Sequence, residues 1–178
     1  LKDNFACLGP RYINISSKTL TQTIGDKEID TLPSISGASM FFNKDKFDSI
    51  NGFDDKFFLY FEETDYCYRA QDKGLYSYQI NSIKLNHYVG TSIDFENDAE
   101  RKKINELYSW HFIWSKFYFY KKHYGIYFSC IFFFPIIIRS LFKIFICNIL
   151  HKHEKTEKYK VRLDGLINSI KGSKSFKR

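Results

Sequence analysis

Three carboxylates, Glu62, Glu63 and Asp65, follow directly on the apolar run FFLYF at residues 57–61. Two accounts compete for them. In the first, Thr64 or Asp65 caps a helix running to about Lys73, and Gly74 ends it, because helix N-termini favour acids and the C′ position favours glycine. That explains Asp65 and Gly74 but leaves Glu62 and Glu63 ahead of the cap. In the second, a carboxylate on a rigid turn beside an apolar wall serves as a general base or a metal ligand, its basicity raised by desolvation. Arg69, one turn further on, is the expected partner of a nearby acid.

The segments that must hold these groups read as mixed α/β. Residues 6–15 suggest short strand pieces about a turn at Gly9-Pro10, and the polar residues 16–31 a loop or long hairpin. The run SISGASMFFNK (34–44) reads as a buried strand with Gly37 where another group comes close. Residues 44–50 make about two helical turns that stop at Asn51-Gly52. Residues 75–88 supply two short strands with a turn at Asn81-Ser82, ending near His87. From about Asn97 the pattern becomes helical through Gly125. Val161, Leu163, Leu166, Ile167 and Ile170 mark one short amphipathic helix near the end.

With these pieces in order, the stretch from Ser36 to Gly74 resembles the second half of the catalytic domain of inverting GT-A glycosyltransferases of family 2, especially the rhamnosyltransferase-like members. The matching residues are Gly37-Ala38-Ser39-Met40, then Gly52-Phe53-Asp54-Asp55, then Glu62-Glu63-Thr64-Asp65, then His87 with Gly90 and Ser92. The family carries Asp where Glu63 stands, so the same carboxylate here has one more methylene of reach. The resemblance implies the C-terminal half of a Rossmann-like nucleotide-diphospho-sugar transferase fold over residues 1–96, followed by membrane-associated helices over 97–150 and a basic tail over 151–178. It implies transfer of a sugar from a nucleotide-sugar donor to a lipid-linked glycan acceptor in cell-surface polysaccharide synthesis. Glu63 would be the base, with Glu62 as the fallback. Gly37, Ala38, Ser39, Asp54 and Asp65 would contact substrate, and His87 would help bind Mg2+ or Mn2+ and the diphosphate. For His87 the structural alternative is a strand-end histidine bonded to backbone; for residues 37–39 it is a plain buried strand.

The family's donor site ends in an Asp-x-Asp, and none of the 178 residues forms one; Asp94-Phe95-Glu96 comes nearest. Leu1–Gly9 reads like the middle of a fold. The chain is therefore expected to be a fragment that needs a donor half supplied elsewhere.

Charge divides the chain. Residues 1–98 carry 10 Lys/Arg against 15 Asp/Glu, and residues 99–178 carry 17 against 5. In the basic half, residues 124–138 hold no charge, and Arg139 and Lys143 stand four apart before the apolar run resumes. Lysines flank the run on both sides, a pattern expected of a segment lying in an anionic membrane interface on the cytoplasmic face. A nucleic-acid module could use the charge and the aromatics, but has no use for a long aliphatic run. A non-catalytic membrane protein is the other rival. Four dispersed cysteines without CxxC spacing exclude a zinc ribbon and predict reduced, apolar thiols in a cytosolic compartment.

Overall fold

The structure is a computed structural model and describes residues 4–14, 19–20, 27–87 and 95–175. It is mixed α/β, with a small mixed sheet and a preponderance of helix, and it divides into two units. One unit takes Leu1–Asp54 and Glu62–Asp94; the other takes Asp55–Phe61 and Phe95–Arg178.

The first unit is built on β1 (Phe5–Asn14) and β5 (Tyr76–His87), which pair in parallel. Parallel neighbours need a crossover, and it contains the helices α1 (Lys44–Ser49) and α2 (Glu62–Asp72). On its other edge β1 pairs antiparallel with β2 (Thr19–Leu20) and β4 (Phe41–Phe42), and β3 (Ile29–Leu32) flanks β5 antiparallel. Tyr66, Cys67 and Ala70 of α2 share a face at helical spacing and bury against Ala6, Cys7 and Leu75. The rings of Phe42, Phe47, Phe53 and Tyr66 close one end of this core, with centroids 4.9–5.8 Å apart.

Three local expectations change here. Gly9-Pro10 lies inside β1 and makes no turn; a Cβ on Gly9 would collide with Cγ2 of buried Ile35, so the glycine makes room for packing. Asn81-Ser82 does not turn either. The ladder passes from Pro10↔Ile80 to Arg11↔Lys84, so 81–83 bulge within one continuous strand. The Asn81 amide holds that bulge, donating to the Lys27 carbonyl (2.7 Å) and Asp30 Oδ2 (2.6 Å). Residues 37–39 form a turn instead of a strand, because the Tyr12 hydroxyl gathers the carbonyls of Ser39 (2.7 Å) and Ser36 (3.3 Å). The expected stop after α1 stands: Asn51 and Gly52 both have positive φ, and the Asn43 side chain caps the start.

The second unit is helical. Asn97 caps α3 (Asp98–Tyr124), accepting from the Glu100 N–H at 2.9 Å; Gly125, at φ 83°, separates it from α4 (Ile126–Ile149). The helix α5 (His153–Lys171) has 19 residues, longer than the short helix expected, and packs on both α3 and α4. Ile113, Phe117, Phe133 and Leu166 form the shared core. Gly165 lets α5 approach α3, since a Cβ there would lie 2.7 Å from the Trp110 carbonyl oxygen. Leu166 is buried, whereas Ile167, expected on the same apolar side, is exposed. The basic tail thus belongs to a three-helix body. α4 continues through Pro135 and is about 36 Å long at 1.5 Å per residue, apolar enough by length and composition to cross a membrane.

Candidate active site

The helix α2 starts earlier than the capping pattern suggests. Glu62 and Glu63 are its first two residues, so both carboxylates sit in its first turn. Tyr60 (φ 66°) and Phe61 (φ 70°) precede it in the left-handed region, which bulky residues rarely occupy. Residues 57–61 belong to the second unit and spend their rings within it. Phe57 meets Tyr118, Phe58 meets His111, Tyr60 meets Phe112, and Phe61 meets Phe112 and Phe119. The Ser115 hydroxyl donates to the Leu59 carbonyl at 2.8 Å. The apolar run before Glu62 thus packs its rings on α3.

Asp65 is not a cap. It is completely buried within α2, and Arg69 Nε donates to its Oδ2 at 2.8 Å. The same guanidinium donates to the carbonyls of Ile50 and Gly52, both at 2.6 Å, tying α2 to the turn after α1. A buried acid with this fixed partner is structural, and the substrate-contact role expected of Asp65 gives way to it. Gly74 ends the helix at φ 72° as read from the sequence, with the Leu75 N–H bonded to the Ala70 carbonyl.

Glu63 is different. Its Oε2 and that of Glu62 are buried, and neither makes a hydrogen bond among the described residues. Burial, reinforced by the neighbouring charge of Glu62, pushes the Glu63 carboxyl from its ordinary 4.5 up to about 7. The backbone N–H groups of Glu63 and Thr64 pull the other way and are outweighed. A carboxylate so poised exchanges a proton near neutrality, which suits a general base.

The 37–39 turn lies beside it. A Cβ on Gly37 would stand 3.9 Å from the Glu63 side chain. Ala38 is exposed, and Ser39 passes its carbonyl to Tyr12. The Tyr12 ring in turn meets the edge of His87, centroids 5.7 Å apart. The turn therefore connects Glu63 on one side to the Tyr12–His87 pair on the other. Tyr12 was not singled out by spacing; only the sheet, which sets β1 beside β5, reveals its place. Asp54 is half-buried just after the Asn51-Gly52 turn. Gly90, Ser92 and Asp94 lie outside the described residues.

His87 brings one imidazole, packed edge-on against Tyr12. Among the described residues no three His, Cys, Asp or Glu side chains come together. A cavity of about 260 Å³ in the same unit has Cys67, Gln71 and Ser77 among its walls and does not include Glu63. Beside it Cys7 and Cys67, sixty positions apart, bring their Sγ atoms to 3.7 Å as free thiols, with Ser77 Oγ 3.3 Å from Cys7.

No family model, curated protein or solved structure matches the chain.

Proposed function

We propose that the chain is the acceptor-side part of an inverting family-2 GT-A glycosyltransferase. It would transfer a sugar from a nucleotide-sugar to a lipid-linked glycan at the cytoplasmic face of the cell membrane, in cell-surface polysaccharide synthesis. The observation that carries the proposal is the Glu63 carboxyl, poised at about 7 with an unpartnered buried oxygen beside the Gly37 turn. In this reading the acceptor hydroxyl enters over Gly37, where no side chain intervenes. Its oxygen attacks the anomeric carbon while Glu63 takes its proton, and the nucleoside diphosphate leaves from the opposite face. Glu62 keeps Glu63 basic through like charge. Mg2+ or Mn2+, which would stabilise the leaving diphosphate, needs ligands from an Asp-x-Asp half, with His87 giving at most one.

The test joins the chain to a donor half and follows nucleoside diphosphate release with lipid-linked acceptors. Glu63→Gln should lower kcat at least a hundredfold with donor affinity unchanged. Full turnover in that variant would end the proposal.

A second reading, a membrane-associated chain without chemistry of its own, is favoured by α4. Tyr127 and Ile131 on it are 86% and 75% exposed, and Phe134, Phe142 and Phe145 are exposed too. Such a face has a use against lipid whether or not Glu63 acts.

A further inference from the structure

The helical unit contains a cavity of about 810 Å³ that the chemistry above does not use. Its size is that of sites for small organic ligands, commonly about 300–1,000 Å³. Lys56, Lys121 and Lys174 are among the residues that line it, together with Asp55. Trp114 and Tyr118 supply an aromatic wall, their rings stacked with centroids 5.3 Å apart. Trp114 is 3% exposed, and its indole N–H is buried without a hydrogen-bond partner among the described residues.

The end of α5 borders the same space and could have repelled an anion, since helix C-termini carry partial negative charge. That charge is covered. Gly172, in the left-handed conformation, donates its N–H to the Ser169 carbonyl, and Ser173 donates to that of Asn168. The Ser175 hydroxyl pins the segment back by donating to the Lys56 carbonyl, and the Ser169 hydroxyl donates to the Trp114 carbonyl at 2.9 Å. The lysines are thus carried by three separate pieces of chain that hydrogen bonds hold together.

We infer that this cavity binds an organic phosphate, its phosphate between Lys121 and Lys174 and its uncharged body against Trp114 and Tyr118. A phosphate monoester carries about −1.5 to −2 at neutral pH, and lysine serves phosphate as a mobile point charge. A free inorganic ion would leave the aromatic wall unused. Two sources have this chemistry: the headgroup of an anionic lipid and a soluble sugar phosphate. The inference deepens the membrane side of the proposed function and does not depend on Glu63.

The experiment uses the full chain with vesicles of pure phosphatidylcholine, the same vesicles with one-fifth phosphatidic acid, and free glucose 1-phosphate. Binding to pure phosphatidylcholine reads the apolar face of α4 alone; the increment from phosphatidic acid reads the cavity. Lys121→Gln with Lys174→Gln should cut that increment at least fivefold. Lys152→Gln with Lys155→Gln, an equal charge change on exposed residues outside the cavity, should leave more than half. Trp114→Phe, which keeps a ring and loses the N–H, should weaken it about threefold. Competition by glucose 1-phosphate, itself weakened by the first pair, identifies a soluble sugar phosphate as a source; a pair-dependent increment without competition identifies the lipid headgroup. Glucose 1-phosphate binding that depends on the pair, with no vesicle binding at all, keeps the cavity and removes the membrane reading. Equal losses from the two lysine pairs, or neither an increment nor sugar phosphate binding, would overturn the inference.

Discussion

Gly37 faces Glu63 so closely that a Cβ on the glycine would stand 3.9 Å from the Cβ, Cγ and Cδ of the glutamate. That separation is ordinary van der Waals contact, so the missing side chain is not forced by collision. It leaves one approach to the carboxyl uncovered. Gly37→Ala should therefore fold with a stability change within about 0.5 kcal/mol. The added methyl should remove water from the carboxyl and raise its pKa further above 7, which carboxyl-resolved NMR titration can read. An unchanged or lowered value would separate Gly37 from the site.

Glu63 should make the protein less stable as pH rises. Its folded pKa of about 7 lies above the ordinary 4.5, so the folded state holds this proton where the unfolded chain has released it. Below about 4.5 both states are protonated and the effect vanishes. Between 4.5 and 7 stability falls, and above 7 the cost is complete, on the order of 1–2 kcal/mol after solvent screening. Glu63→Gln should therefore raise the denaturation midpoint at pH 8 and leave it unmoved at pH 4. Equal effects at both pH values would mean that Glu63 is not held this way.

Arg69 joins three acceptors at once, Asp65 Oδ2 and the carbonyls of Ile50 and Gly52. Arg69→Ala leaves the Asp65 charge buried without this partner and should cost about 3–5 kcal/mol. Arg69→Lys should recover little, because one ammonium cannot reproduce the planar fork. Urea denaturation of the two variants measures this; near-wild-type stability in the lysine variant would reduce the contact to simple charge pairing.

Gly9→Ala should destabilise by about 1–3 kcal/mol through its collision with Ile35. Ile35→Ala removes the colliding Cγ2 and itself leaves a cavity. The double variant should be more stable than the sum of the two single losses predicts, a coupling that a double-mutant cycle reads directly. Additivity would place the strain elsewhere.

The exposed face of α4 should carry vesicle binding. Ile131→Asp with Phe142→Asp should abolish binding to phosphatidylcholine vesicles while helicity by circular dichroism stays unchanged, since both side chains are exposed. Phe133→Ala, in the buried seam with Phe117, should instead lower helical stability by about 3 kcal/mol. Vesicle binding that survives both aspartates would assign the face to something other than lipid.

Signals that act along a few residues were legible without the fold. Asn51-Gly52 and Gly74 read as stops because positive φ is cheap for Gly and Asn, and both positions have it. The helical stretch after Asn97 and the apolar length of α4 read from periodicity and composition. Pro and Gly misled inside β1, and Asn-Ser inside β5. There, residues that usually turn a chain were recruited to a close approach and a bulge, and no local pattern separates those uses.

By itself the sequence determined which residues could do chemistry: a carboxylate pair at 62 and 63, a run of small residues at 37–39, a histidine at 87, and a basic, apolar second half. Only the tertiary structure decided which of them share a place. It buried Asp65 on Arg69, set Glu63 against Gly37, and joined the turn to His87 through Tyr12. It also turned the rings of 57–61 onto α3 and gathered three distant lysines around one cavity. The physical reason is that a pKa and a binding site depend on burial and on neighbours through space. Sequence spacing specifies those only within a single helix or turn.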